Sequence, residues 1–584
     1  MPDILFSQVN YSLDTLLQNI KLGVIGLPEI QRPFVWPNSK VRDLFDSMYK
    51  GFPVGYFLFW KNGIGNGHKG IGVENKQKAP DSLIVDGQQR LTSLYAVMKG
   101  IPVIRDDFRK EKILISFNPI TETFEVYDVA IGRDPEFISD ISLIWSHKNG
   151  IFGVANDFIK RLKETREVTE EEITRIQNNI NNLDNIRLYP FTVLEVTSGA
   201  NEEQVSEIFV RVNSKGTPLN QSDFILTLMS VFWEDGRKQL EEFCRASRIS
   251  PVDKKPTPFN YYIQPDSDHL LRTCIGFGFK RARLKYAYLL LRGKDLETEE
   301  FSDELREIQF SKLVEAQKKV LDLQNWHEFL KAILSAGFVS SQMISSQIGL
   351  MYAYVFYLVG KYDFKVDHLP LRKTIARWFF MTSLTSRYSG SFESTMEQDL
   401  SRLREIKTGE EFIALLNHLI DDALTEDYWA ITLPNQLETS FARPPALLAY
   451  YAALVNLKAP VLFSNLSVAD LLDPKINAKK SATERHHLFP KGYLQKQGIK
   501  EVRDTNQVAN FALVEWNDNI DISDESPSVY ITDFLERYSK PEWKKINFLH
   551  ALPDKWFDMP YPKFLEARRK AMAKVIKEGF GKLG

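Results

Sequence analysis

Near Gln221 the pattern of apolar residues changes character, and that change sets what this chain can fold into. Before it, short apolar runs at 55–60, 83–85, 112–117, 123–126 and 191–196 alternate with helical spacing at 13–20 and 40–50. Runs that short read as strands and i, i+3, i+4 spacing reads as helix, so the first part predicts a mixed α and β domain. The pair Asn118-Pro119 predicts a turn between two of those strands. Residues 161–185 are dense in charge and predict one solvated or domain-bridging helix. From Gln221 to Asp427 the spacing is almost wholly helical, as in FILTLMSVFW, LVEAQKKVLDL and FIALLNHLIDDAL, with a loop expected at 252–258. From about Ile431 onward helices continue around a loop-rich polar segment at 475–527.

A chain of 584 residues exceeds one ordinary core, so we expect three domains spanning 1–230, 231–430 and 431–584. With 43% hydrophobic and 26% charged residues it has the apolar material to bury them, which excludes a largely disordered protein. The formal charge of −2 excludes a uniformly basic nucleic-acid coat but leaves room for a local basic groove. Cys244 and Cys274 are the two cysteines, without a CxxC pair, which argues against a disulfide framework and a cysteine zinc site and for a reducing cytoplasm. The first residues lack a basic-then-apolar signal pattern. The most membrane-like stretch, 348–360, is shorter than the roughly 20 residues a bilayer requires and predicts a buried helix. A cytoplasmic protein without a membrane partner is the expectation.

Three short motifs stand out before residue 230. They are Gln31-Arg32 within LPEIQRPFVW, Asp86-Gly87-Gln88-Gln89-Arg90 within IVDGQQRLTSL, and Arg211 with Asn213 within RVNSKGTPL. The second leaves a strand and enters a helix. A glycine at such a turn exposes backbone N–H groups at a helix N-terminus, where the dipole favours a phosphate. Gln88, Gln89 and Arg90 add donors, and an arginine can grip phosphate in two places. Asp86 could hold a ribose hydroxyl, a water or a magnesium ion; the plainer reading is a capped helix whose arginine pairs with a carboxylate. No GxxxxGK[ST] sequence is present, so this is not a P-loop.

In their order these motifs resemble the N-terminal module of the GmrSD type IV restriction systems, over roughly residues 5–230. That resemblance implies a ParB/sulfiredoxin-like α/β fold and binding and hydrolysis of a nucleoside triphosphate (GTP, UTP, CTP or ATP). It places Asp86, Gly87, Gln88, Gln89 and Arg90 at the nucleotide, with Gln31, Arg32, Arg211 and Asn213 as neighbours. Ser386-Arg387-Tyr388-Ser389-Gly390 also resembles a box in the helical part of these proteins; its plainer reading is a turn that caps a helix.

The second constellation is Arg485-His486-His487-Leu488-Phe489-Pro490-Lys491, followed by Asn510 and by Asn519 nine positions beyond it. Adjacent histidines on a strand face opposite sides, so one can bind a divalent cation while the other deprotonates water. Pro490 would end the strand. A loop asparagine can hold the strand through its backbone, and a helix residue can close the metal site. This order resembles HNH endonucleases, and more closely the C-terminal nuclease module of the GmrSD systems. The resemblance implies His487 as general base, Asn510 as the asparagine that supports it, and His486 and Asn519 as metal ligands, with Asn517 a rival to Asn519. Two departures stand out: His486 replaces an acid, which admits softer metals than Mg2+, and the lysine often found after the last ligand is absent. Between Lys475 and Arg503 eight basic residues face two acidic ones, a balance of +6, so Arg485 and Lys491 are the candidate phosphate contacts.

The sequence therefore predicts an α+β multidomain protein: a ParB-like first domain, a mostly helical middle, and a helical C-terminal domain carrying a ββα-metal motif. The expected activity is nucleotide-dependent cleavage or nicking of modified double-stranded phage DNA, with Mg2+ or Mn2+, in antiviral defence, with a homodimer as the candidate assembly. The alternative is a nucleotide-switched DNA-binding regulator with an inactive nuclease module.

Overall fold

The computed structural model describes residues 4–26, 34, 36–61, 81–105, 109–146, 150–197, 200, 204, 208, 226, 229, 233–251, 255–291, 295–298, 303–474, 485–515 and 524–584. The chain divides into two compact units, Met1–Asn220 and Gln221–Gly584, and its architecture is α+β.

The first unit is built on a five-stranded mixed sheet. Its strands are β1 (Phe6–Ser12), β2 (Ile25–Gly26), β3 (Phe57–Lys61), β4 (Ser82–Asp86) and β9 (Pro190–Val196), in the order β1-β9-β3-β4-β2. β1 runs antiparallel to β9 and β3 antiparallel to β4, while β3 with β9 and β2 with β4 are parallel. Two short antiparallel pairs lie outside it: β5 (Val103–Ile104) with β6 (Lys110–Glu111), and β7 (Ile115–Asn118) with β8 (Thr123–Val126). The turn of the second pair is held by Asn118, whose Oδ1 accepts from the N–H of Ile120 at 2.8 Å and of Thr121 at 3.2 Å. That is the short-range competition with the ladder that makes asparagine a turn residue.

Helices α1 (Leu13–Lys21), α2 (Asn38–Tyr49) and α3 (Gln88–Lys99) each bury an apolar face. Leu16, Leu17, Phe45, Leu91, Leu94 and Val97 meet Phe57, Phe59, Ile84, Phe191 and Val193 of the sheet in one core.

The charge-rich stretch at 161–185 differs from the single bridging helix expected of it. One helix, Gly150–Lys163, ends there, and a second, Glu170–Asp184, begins after a break. Thr169 supplies the reason for the restart, since its side chain accepts from Glu172 N and caps the new helix. Ile176, Ile180 and Leu183 lie on one face of that helix and are buried in the core of the first unit. The charges occupy the solvated remainder.

The second unit is mostly helical. The helix Gln347–Tyr362 is buried along nearly its whole length, from Gly349 to Gly360, and packs on Ser267–Phe279 and His368–Leu384. A bilayer-like stretch is thus the centre of a helical core, and no helix among the described residues is long and apolar enough to cross a membrane. The LVEAQKKVLDL pattern is interrupted: one helix ends at Val320 and the next starts at Leu323, capped by Asp322 through Asn325 N at 2.8 Å. The helix Pro445–Asn456 packs on both His368–Leu384 and the long last helix Tyr561–Gly581, so the middle and the end of the chain share a core. Against this helical body lies a small antiparallel pair, β10 (Arg485–His487) with β11 (Phe511–Leu513).

Candidate functional site

In the first unit the chain leaves β4 at Asp86, turns at Gly87 and enters α3 at Gln88. Gly87 has φ +94°, in the left-handed region, and a Cβ there would lie 2.3 Å from Phe57 Cδ1. Both facts demand glycine. Burial holds the Asp86 carboxyl above its ordinary range, against the opposing pull of the Gly87 N–H and the Arg90 cation. Arg90 points back across the sheet, with Nη1 donating to Tyr56 O at 2.9 Å and the guanidinium 5.4 Å from the Phe57 ring centroid. Burial lowers its pKa, opposed by Asp86, Tyr56 and Tyr189. The arginine thus bonds a carbonyl and ties the start of α3 to the chain entering β3. Gln88 Nε2 reaches Ile84 O at 3.2 Å. Gln31, Arg32, Arg211 and Asn213 lie outside the described residues.

In the second unit His486 and His487 are the last two residues of β10, opposite Ala512 and Phe511 of β11. Strand alternation separates them: His486 is buried, its ring 6.3 Å from that of Tyr530, and His487 is half-buried with its ring 4.6 Å from Phe511. The strand stops at His487, two residues before Phe489, and Pro490 caps the short helix Lys491–Lys496. His487 Nε2 lies 3.0 Å from Asn506 Oδ1. Burial lowers the His487 pKa, the Asn506 bond opposes this, and the nearby Lys491 cation adds to the lowering. The net result is an imidazole neutral at physiological pH, which a proton acceptor requires.

Asn510 is fully buried and bonds backbone through both ends of its amide. Oδ1 accepts from Phe489 N at 2.8 Å, and Nδ2 donates to Phe489 O and Thr505 O, both at 3.1 Å. It stitches the chain that leaves β10 to the chain that enters β11. Lys491 is exposed at the start of its helix, and Arg485 opens β10. Asn519 and Asn517 lie outside the described residues, so the structure brings together His486, His487, Asn510 and Lys491.

Further supports are long-range contacts that no local spacing signals. Tyr530 OH donates to Leu488 O at 2.6 Å. Arg568, fully buried, donates from Nη1 to Ala509 O at 2.8 Å and from Nη2 to His550 O at 3.3 Å. His550 is the C-cap of the helix Lys540–Leu549, whose carbonyl end favours a cation. His550 Nε2 in turn donates to Pro460 O at 2.9 Å, and Leu462, two residues on, bridges to Val514 just past β11. A buried polar chain therefore backs the hairpin.

The Ser386–Gly390 box forms the turn after the helix His368–Leu384, with Ser386 at φ +54°. It does more than cap: Arg387 grips the fully buried Asp399 through Nε at 2.9 Å and Nη2 at 2.6 Å, and Tyr388 OH donates to the same carboxylate at 2.9 Å. Elsewhere Asp266, Asp268 and His269 bring three potential ligand atoms together, but Asp266 is ion-paired to Arg248 at 2.5 Å.

Comparison with known proteins adds two likenesses. Over 567 residues the chain is 24% identical to an uncharacterized protein of Methanocaldococcus jannaschii, covering 91% of this chain and 88% of that protein. Residues 13–230 match the family described as GmrSD restriction endonuclease, N-terminal domain. The turn from Asp86 to Arg90 thus lies inside a segment that carries the pattern of the GmrSD restriction endonuclease N-terminal domain.

Proposed function

We propose that this chain is a nucleotide-responsive endonuclease that hydrolyses phosphodiester bonds in modified DNA. The observation that carries the reading is the β10–β11 hairpin, with a neutral, half-buried His487 beside a lysine and the buried His486 on the other side of the strand. The likeness of residues 13–230 to a restriction endonuclease domain supports it.

In this reading Arg485 and Lys491 bind the DNA backbone, which supplies affinity that falls with salt and reads no sequence. His487 accepts the proton of the attacking water, and the Asn510 bonds to Phe489 and Thr505 keep the strand from drifting during that transfer. An imidazole donor at His486 suits Mn2+ or another transition ion as well as Mg2+. His486 with Asn519 would hold this divalent ion, which when bound supplies positive charge at the scissile phosphate. In the first unit, the N–H groups at the start of α3 together with Gln88 and Gln89 hold the phosphates of a nucleoside triphosphate, and Asp86 holds a ribose hydroxyl, a water or a magnesium ion. Arg90 spends one of its five N–H groups on Tyr56 O, which shapes the turn, and offers the others to the same phosphates. Nucleotide state would govern cutting, in defence against modified phage DNA.

The test is incubation of the purified chain with modified and unmodified DNA, with divalent metals and each triphosphate. Metal-dependent cutting of the modified DNA is expected, lost in His487→Ala while triphosphate hydrolysis continues. Cutting that survives in His487→Ala refutes the assignment. The replacement of an acid by His486 favours a second reading, a nucleotide-switched DNA-binding regulator, and the absence of any nick by the wild type would select it.

A further inference from the structure

We infer that Asn506 is a positioning residue for this hairpin: its amide oxygen takes the Nε2–H of His487 and leaves Nδ1 as the nitrogen that faces the reacting water. The inference rests on the nuclease reading above and adds to it which ring nitrogen works and what holds it. The two residues are 19 apart in sequence and meet at 3.0 Å. Asn506 stands just past the short helix Val502–Thr505 and outside the strand pair, so no ladder constraint forces this contact.

The segment that carries Asn506 is fixed on several sides. Its own N–H bonds Val502 O at 2.9 Å. Tyr561 OH donates to Asp504 O at 2.8 Å, Asn510 Nδ2 to Thr505 O at 3.1 Å, and Val508 N to Thr439 O at 2.8 Å. An acceptor anchored in this way is in place before any substrate arrives. The Phe511 ring, 4.6 Å from the imidazole centroid, limits the remaining tilt of His487. A neutral imidazole has one N–H and one lone pair, so a bond accepted from Nε2–H assigns the lone pair to Nδ1. An amide suits the role because it orients the ring without placing a full negative charge beside it.

The step balances simply. The water O–H bond breaks with its proton going to Nδ1, the oxygen bonds phosphorus, and the bond from phosphorus to the leaving sugar oxygen breaks. That oxygen is protonated by solvent.

The experiment uses the full chain labelled with 15N-histidine and the variants Asn506→Leu and Asn506→Asp, with His487→Ala to assign the ring signals. Wild type should show a His487 Nε2–H that exchanges slowly with solvent, and Asn506→Leu should lose it. Single-turnover DNA cleavage should fall by about tenfold or more in Asn506→Leu, while DNA affinity stays within about twofold. Asn506→Asp, which keeps an acceptor at the same place, should retain the slow exchange and most of the rate. A His487 carrying its proton on Nδ1 in the wild type overturns the inference, as does wild-type cleavage by Asn506→Leu. If the wild type cuts no DNA, the nuclease reading fails separately. The ring signal then decides: a protected Nε2–H upholds the Asn506 contact, and its absence removes it.

Discussion

Lowering the pH forces a charge onto His550, and the cost follows from its surroundings. The ring is fully buried with Nε2–H committed to Pro460 O, and the Arg568 guanidinium lies nearby. Burial, aided by that cation, lowers its pKa from 6.5 to about 4, with the Pro460 bond opposing. Above the unfolded value neither state is protonated and the full contribution to stability is present. As pH falls toward the folded value, the unfolded chain binds a proton that the folded chain refuses, so stability is lost. A gap of about 2.5 pH units, at about 1.4 kcal/mol each, amounts to about 3 kcal/mol. The control is His550→Gln, whose amide can still donate to Pro460 O but does not titrate. Urea unfolding of both proteins, followed by far-UV circular dichroism at pH steps between about 7 and 4, isolates the term, since all other titrating groups are shared. The advantage of the wild type should shrink by about 3 kcal/mol across that window. An advantage that stays constant, or grows on acidification, refutes the reasoning.

Three further outcomes follow from packing. Asn510→Ala strands the N–H and C=O of Phe489 and the carbonyl of Thr505, and should cost about 2–4 kcal/mol in urea unfolding, with cleavage lost in parallel. Gly87→Ala meets both the positive φ and the Phe57 ring, so nucleotide binding by calorimetry should be abolished and unfolding should lose about 2 kcal/mol or more; normal binding would contradict the turn geometry. Arg387→Met leaves the buried Asp399 carboxylate without its cation and should destabilise by about 3–5 kcal/mol, whereas the pair Arg387→Met with Asp399→Leu should recover most of the loss.

By itself the sequence determined those features in which neighbours along the chain decide the energy. The helices Leu13–Lys21, Asn38–Tyr49 and Gln347–Tyr362 follow from apolar spacing, and the strand–glycine–helix turn at Gly87 follows from local backbone preference. Adjacent histidines on opposite sides of a strand follow from its two-residue period. At 161–185 the density of charge correctly marks a solvated helical face but hides the break between two helices. Ile176, Ile180 and Leu183 formed a buried face there, and Thr169 a cap, inside the same stretch. Only the tertiary structure decided that Asn506 meets His487, that Arg568 reaches Ala509 across 59 residues, and that His550 pins Pro460 across 90. It likewise decided that Arg90 bonds Tyr56 O while its charge acts on Asp86. Such bonds join polar groups that share no periodicity. They form because burying each group elsewhere would leave it unsatisfied, a condition set by the whole packed core and by no window of sequence.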